Sequence, residues 1–546
     1  MAIFEDTNPR KLIDLLDEIH KNQSALPNFQ RDFVWSPNHT KSLISSIASN
    51  YPAGSILRVR DTKNLFEVRA IKGAPDLKDK HTFLILDGQQ RLTSLYQAFY
   101  GTGERRYFIK IHDIISGKDF DECVFHCAAN SQAAHRYQNS ENQNGELVMP
   151  LSVLQNGSQT FHQWWHPDHH TTLSKDQFSK LNSKIAIIND YQFPVVTLSD
   201  KTPFESLCTI FETLNLTGVK LGVYDLLTAR FMPSKINLRV LKDEAYSKNH
   251  PILDDFKIDP YYILQIISLA SRANPSCKRS DVLKLEDKDI NEWWDKAVSA
   301  LAQGLQILRD DCNVMLKKWI PYETMLLPLS ATIAKLDPQK AEKGAHRAKI
   351  KQWFWCTVFS QSYESSALSQ AATDTTSLKE WLIGGKPPEA VLSTKLNISK
   401  EDLRTITPKQ NAIYRGIMCL MISNGMLDFH SGRRIDKEII KDLEDHHIFP
   451  SAYLKGVNTD EKDSINSILN RTLIHGVTNK IINDRAPSEY LQGIKGTEGF
   501  EFDKVMASHC LSTDKNSPLI SNDFKSFLNQ RQEKIWEKIC QAVDGQ

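Results

Sequence analysis

A chain of 546 residues is too long for one ordinary core and, at roughly 150 residues per domain, holds about three. Its 40% hydrophobic and 24% charged residues exclude a disordered or fibrous chain. With 67 basic against 66 acidic side chains the net charge is +1, which excludes a whole-protein pull on nucleic acid, so any DNA affinity has to come from local patches. The opening MAIFEDTNPRKLIDLL lacks a basic stretch followed by an apolar one, and no apolar run approaches the ~18 residues of a membrane span. Nine scattered cysteines, an odd number, fit free thiols in the cytoplasm. The close pair Cys123 and Cys127 around His126 has no second pair beside it. A structural zinc completed by His162, His166, His169 or His170 is therefore not favoured.

In chain order, Asn8-Pro9 predicts a helix start, with Leu12, Leu15, Leu16 and Ile19 on one face. Ser36-Pro37 starts a second helix. Residues 55–60 and 82–86 read as short strands, and the second runs through Asp87-Gly88-Gln89-Gln90-Arg91 into a helix marked by Leu92, Leu95, Tyr96 and Phe99. Residues 127–146 are polar and aperiodic and read as a surface loop. A strand over 194–198 and helices over 203–214 and 225–231 complete a first domain, 1–235. Residues 236–405 look helical, with helices over 261–270, 290–308 and 322–334, and suggest a connector or sensor. Residues 406–546 hold the densest chemistry and end in a helix over 523–543. The run from Lys335 to Lys351 before Trp353-Phe354-Trp355 reads as a solvated helix face leading into buried aromatics. Trp164-Trp165 and Trp293-Trp294 read as core anchors.

A strand, a tight glycine turn and a helix N-terminus present free backbone N–H groups to an anion, and Gly88 lets the anion approach closely. Arg91 can add a bidentate contact to phosphate, Asp87 can hold a magnesium ion, and Gln89 or Gln90 can position a water or a base edge. Together with the stretches Leu26-Pro27-Asn28-Phe29-Gln30-Arg31-Asp32-Phe33-Val34-Trp35 and Phe211-Glu212-Thr213-Leu214-Asn215-Leu216-Thr217-Gly218, this turn resembles the ParB-like, DGQQR-containing domain of GmrSD proteins. The resemblance implies binding and hydrolysis of a nucleoside triphosphate, coupled to sensing of modified DNA. It makes Gln30, Arg31, Asp87, Gly88, Gln89, Gln90, Arg91, Asn215 and Thr217 the candidate nucleotide site. Read alone, Arg31 could equally form a salt bridge within its domain.

Near the other end, Glu444-Asp445-His446-His447-Ile448-Phe449-Pro450 is followed by Asn470-Arg471-Thr472-Leu473 and Thr478-Asn479-Lys480. Hydrolysing a phosphodiester needs a deprotonated water and neutralisation of the charge that grows on the phosphate and the leaving oxygen. An imidazole titrating near pH ~6.5 can take the proton, which makes His447 the candidate general base. His446 and the amide oxygen of Asn479 are candidate metal ligands, and Asp445 is a further ligand or an orienter of imidazole. The stretch resembles the HNH, or ββα-metal, nuclease motif, and its continuation NRTLIHGVTNKIINDRAPSEYL is similar to the nuclease half of GmrSD-type enzymes and the HNH domain of RNA-guided CRISPR nucleases. The resemblance makes His447, His446, Asn479 and Asn470 the catalytic set, with Asn470 bracing the loop that holds the base. Arg471, Lys480 and Arg485 become candidate DNA-phosphate contacts. The usual acidic residue before the base is histidine here, and residues 453–464 stretch the spacing, so manganese and nickel stand beside magnesium as candidate ions.

The expectation is an α+β multidomain protein: a mixed α/β ParB-like N-terminal domain, a helical middle and a mainly helical C-terminal domain carrying the ββα-metal motif. Its expected activity is metal-dependent cleavage or nicking of modified phage DNA under nucleoside triphosphate control, by a cytoplasmic, non-membrane protein that could act as a homodimer. An unselective defence nuclease is one alternative. Another is a ParB-like nucleotide-dependent DNA-binding protein with a non-catalytic HNH scaffold.

Overall fold

The computed structural model describes residues 3–78, 81–165, 173–214, 222–336, 344–393, 396–408, 412–429, 432–457, 459–495 and 501–545. The chain forms two compact units, Met1–Leu238 and Arg239–Gln546. Among the described residues no helix is long and apolar enough to cross a membrane.

The first unit is built on a mixed sheet. Its strands are β1 (Phe4–Asp6), β2 (Pro9–Lys11), β3 (Ser24–Pro27), β4 (Ile56–Arg60), β5 (Val68–Arg69), β6 (Phe83–Asp87) and, after a small antiparallel sheet of β7 (Arg105–Lys110), β8 (Val124–Ala128) and β9 (Val148–Pro150), β10 (Gln192–Leu198). Their order is β1-β10-β4-β6-β3-β5, with β2 also paired to β10. The β10–β4 and β3–β6 pairs are parallel and the other pairs antiparallel. Leu12, Leu15, Leu16 and Ile19 are the buried face of the helix Leu12–His20, as their spacing predicts, and they join Ile44, Ile47, Leu92, Leu95, Phe99 and Ile185 in one core. That helix begins three residues later than Pro9 suggests. Prolines lack an N–H and tolerate a sheet edge, and here Pro9–Lys11 extends along β10 with Pro9 opposite Pro194.

The helix Pro37–Ala48 opens on the Ser36 cap, whose hydroxyl accepts from the His39 N–H. The polar segment 127–146 is not a plain loop. Ser131 and Asn139 cap two short helices, Gln132–Arg136 and Ser140–Glu146. Each buries a single side chain, Ala134 and Gln143, so neither leaves a hydrophobic period to read. Cys123 donates to the carbonyls of Lys118 and Asp119. His166, His169 and His170 lie outside the described residues.

The second unit is mainly helical. The 26-residue helix Asp287–Cys312 packs on Tyr261–Ser271 and Leu326–Lys335, and also on Gly344–Phe359 and Ala412–Ser423. The final helix, Phe524–Val543, lies against these last two, so helices on either side of residue 405 share one core. Trp353 and Trp355 are fully buried in it, as the aromatic segment read from the sequence suggests, and of the expected anchors Trp294 is buried whereas Trp293 is only partly so. Of the basic run, Lys340 and Lys343 fall outside the described residues, while Arg347 pairs with Asp311 at 2.8 Å. The remaining strands are β11 (Leu443–His447) and β12 (Arg471–His475), an antiparallel pair that runs directly into the helix Gly476–Ile482.

Candidate functional site

In the first unit, β6 delivers Asp87 to the edge of a cavity of about 280 Å³ lined by Phe29, Gln30, Arg31, Trp35 and residues 86–91. Gly88 turns the chain with φ +96°, and the helix Gln89–Phe99 starts there without a side-chain cap, so the N–H groups of its first turn are open to a ligand. Arg91 spans two acceptors, Ser55 O at 2.7 Å and Asp87 Oδ2 at 3.0 Å. Gly54 makes room for it, since a Cβ there would lie 2.5 Å from Arg91 Nη1.

Both glutamines of the motif are buried and turn toward the neighbouring loop. Gln89 donates to Arg31 O at 2.7 Å. Gln90 donates to Asp32 O at 3.0 Å and accepts from Val34 N at 2.9 Å. They therefore hold the loop 28–36, where the sequence suggested that they orient a water or a base. Arg69 completes the grip through the carbonyls of Gln30 and Arg31 and the Asp32 carboxylate. Arg31 itself is exposed and forms no salt bridge among the described residues; Arg69–Asp32 is the ion pair at this place. Gln30 gives its Nε2 to the carbonyls of Ile85 and Leu86, which fixes its amide and leaves Oε1 buried without a partner among the described residues. An uncapped helix start can donate N–H groups to an anion, and the Gln30 amide oxygen can accept from a hydroxyl or N–H. Asn215 and Thr217 lie outside the described residues.

Gly88 cannot be replaced cheaply. A Cβ would meet Ile56 Cδ1 at 2.4 Å in a backbone conformation that L-residues avoid. Gly88→Val is expected to cost the first unit about 2–4 kcal/mol, read by thermal unfolding. An unchanged midpoint would contradict the assigned turn.

In the second unit, β11 and β12 set His447 opposite Arg471, His446 opposite Thr472 and Asp445 opposite Leu473. The two imidazoles end the strand with ring centroids 6.3 Å apart. Burial, with the Arg471 charge second, holds His447 below the usual histidine range, so it is neutral and able to accept a proton at neutral pH. Burial likewise lowers His446. Its Nδ1 lies 2.9 Å from His447 O, an arrangement that puts the proton on Nδ1 and leaves the Nε2 lone pair for a ligand. Asn479 donates its Nδ2 to Glu444 Oε2 at 2.9 Å, and its amide oxygen has no hydrogen-bond partner among the described residues. Glu444, two residues before His446 on the same strand face, is a residue the sequence reading passed over.

Among the described residues no three His, Cys, Asp or Glu side chains form a closed metal site. What His446, Asn479 and Glu444 offer is an open mixed nitrogen and oxygen set, which fits an ion that shares its shell with phosphate and water. Asp445 is spent elsewhere. It pairs with Arg471 Nε at 2.9 Å, and the buried Tyr414 phenol lies against it. Arg471 is thus tied to Asp445 and reaches His447 Nε2 at 2.9 Å. Lys480 is exposed on the helix Gly476–Ile482, and Arg485 is exposed just beyond it.

Asn470 is fully buried and braces the turn after His447. Its Oδ1 accepts from Phe449 N at 2.8 Å, and its Nδ2 donates to Phe449 O and Ile465 O. Behind it, Arg531 of the final helix donates to the carbonyls of Ile468, Leu469, Arg471 and His509. Burial pushes this guanidinium down to about 10. His509, also fully buried, donates to Leu427 O at 2.7 Å and accepts from the Thr472 hydroxyl at 2.6 Å.

Burial lowers the His509 pKa to about 3. The unfolded chain takes up this proton near pH ~6.5, whereas the folded chain refuses it until far lower pH. The residue therefore contributes no pH dependence above neutrality, and stability falls as pH drops from about 6.5 toward 3, by at most ~1.4 kcal/mol per unit. His509→Gln, which keeps a donor, is expected to move acid unfolding of this unit to lower pH. An unmoved acid midpoint would refute that.

Comparison with known proteins addresses the two units differently. Residues 12–232 match the family model of the GmrSD restriction endonuclease, N-terminal domain, so the first unit is similar to that domain. Over its whole length the chain is 28% identical to an uncharacterized protein of Methanocaldococcus jannaschii, with all of both chains covered.

Proposed function

We propose that the chain is a metal-dependent DNA endonuclease of antiviral defence. In this reading the second unit hydrolyses phosphodiester bonds at the β11–β12 hairpin, and the first binds and hydrolyses a nucleoside triphosphate that licenses cutting of modified DNA. The observation that carries the reading is the hairpin that ends on His446 and His447, is locked by Asn470 and leads into the helix bearing Asn479. A GmrSD-type N-terminal region supports the restriction role.

His447 takes the proton of the attacking water. The water oxygen bonds to phosphorus as the bond to the leaving deoxyribose oxygen breaks. Arg471, Lys480 and Arg485 supply positive charge for the phosphate. His446 and Asn479, with Glu444 beside them, would hold a divalent ion, magnesium, manganese or nickel, which when bound neutralises charge on the phosphate and on the leaving oxygen.

The test is cleavage of matched phage DNAs, with and without base or backbone modification, by wild type and His447→Ala, with each ion and with or without nucleoside triphosphate. Cutting that depends on modification, nucleotide and His447 is the expected result. Indiscriminate His447-dependent cutting would remove the modification sensor, and tight DNA binding without cutting under any ion would leave only a binding protein.

A further inference from the structure

The Nε2 atom of His447 has two neighbours with opposite demands. Asn466 Oδ1 lies 2.9 Å from it and needs a proton to accept, while Arg471 Nη1, also at 2.9 Å, is always a donor and needs a lone pair. A ring nitrogen of a neutral imidazole carries one or the other, so only one of these contacts is a hydrogen bond at a time. Each choice decides what His447 can do. With Arg471 bonded to Nε2, the ring proton sits on Nδ1 and the sole lone pair is covered by a cation. With Nε2–H donating to Asn466, the lone pair is on Nδ1, which has no partner among the described residues.

We propose that the two residues exchange at Nε2 and that the DNA phosphate decides the exchange. The phosphate draws Arg471 away while Asp445 keeps its Nε anchored. Nε2–H then donates to Asn466, and Nδ1 takes the proton of the attacking water. Asn466 is a positioning residue that sets the tautomer, and the base is uncovered only where a phosphate is present. The inference rests on reading His447 as the base. It assigns a purpose to the segment 453–464, which lengthens the motif and whose last turn, Lys462–Ser464, sets Asn466 beside the ring.

The test uses the full chain labelled with nitrogen-15 histidine, whose two ring shifts report which nitrogen carries the proton; the His447 signals are identified by their loss in His447→Gln. In the free protein a Nδ1–H component is expected, and a short duplex DNA added without divalent ion is expected to convert it to Nε2–H. Arg471→Met is expected to show the Nε2–H form without DNA. Asn466→Ala is expected to lose the DNA-induced change and to lower kcat roughly 10- to 100-fold with KM little altered. A tautomer indifferent to DNA and to both substitutions overturns the exchange, as does full kcat in Asn466→Ala. If the tautomer responds as expected while no ion supports cutting, the exchange stands and the nuclease reading falls.

Discussion

Replacing His447 by alanine is expected to lower DNA cleavage by about 10²–10⁴-fold, the range that a positioned general base contributes. The fold should survive. The ring stands at the end of β11 beside His446, and among the described residues its hydrogen-bond partners are the side chains of Asn466 and Arg471 and no backbone group. Thermal unfolding of the variant should therefore overlay the wild type, which separates lost chemistry from lost structure. Full cleavage by His447→Ala would move the base elsewhere, and a collapsed midpoint would mean the ring is structural.

The second large effect is expected from a residue far from the motif in sequence. Arg531→Met should destabilise the second unit by on the order of 4 kcal/mol, because it strips the donors from carbonyls of Ile468, Leu469, Arg471 and His509 in a place water does not reach. The hydrophobic replacement fills volume but donates nothing. Arg531→Lys should fare no better, since a point charge on a flexible stem cannot serve several carbonyls at once and would be buried with fewer partners. The readout is the urea midpoint of the second unit, followed separately from the first because two units need not unfold together. A loss below ~0.5 kcal/mol would show that the carbonyls find other donors.

The residues that were legible in the sequence and those that were not differ in a physical way. The strand over 83–87, the glycine turn and the helix after it could be read because apolar runs and a positive-φ glycine are local signals. Asn470 could be assigned its bracing role because the motif fixes its spacing, and the structure gives it that work through Phe449 and Ile465. Arg531 and His509 could not be read. Each acts across sequence separation, 60–63 residues for Arg531 to 468–471 and 37 for His509 to Thr472, and in isolation each looks like one more polar residue. Asp445, read as a ligand or an orienter of imidazole, is paired with Arg471, because register places His447 and Arg471 together on its side of the hairpin. The bonds of the motif glutamines could not be read for the same reason, since nothing near 89–90 announces the chain segment 31–34 that they hold.

That grip has a further consequence. Gln89, Gln90 and, except for its pair with Asp32, Arg69 grasp the loop 28–36 by its main chain, through atoms every residue type shares. The side chains of Arg31 and Val34 stay outside the grasp and face solvent. A segment secured this way works like an interchangeable tool in a fixed chuck: its tip can be exchanged without rebuilding the mount. The exposed residues at such a tip are then open to change at little cost to the fold.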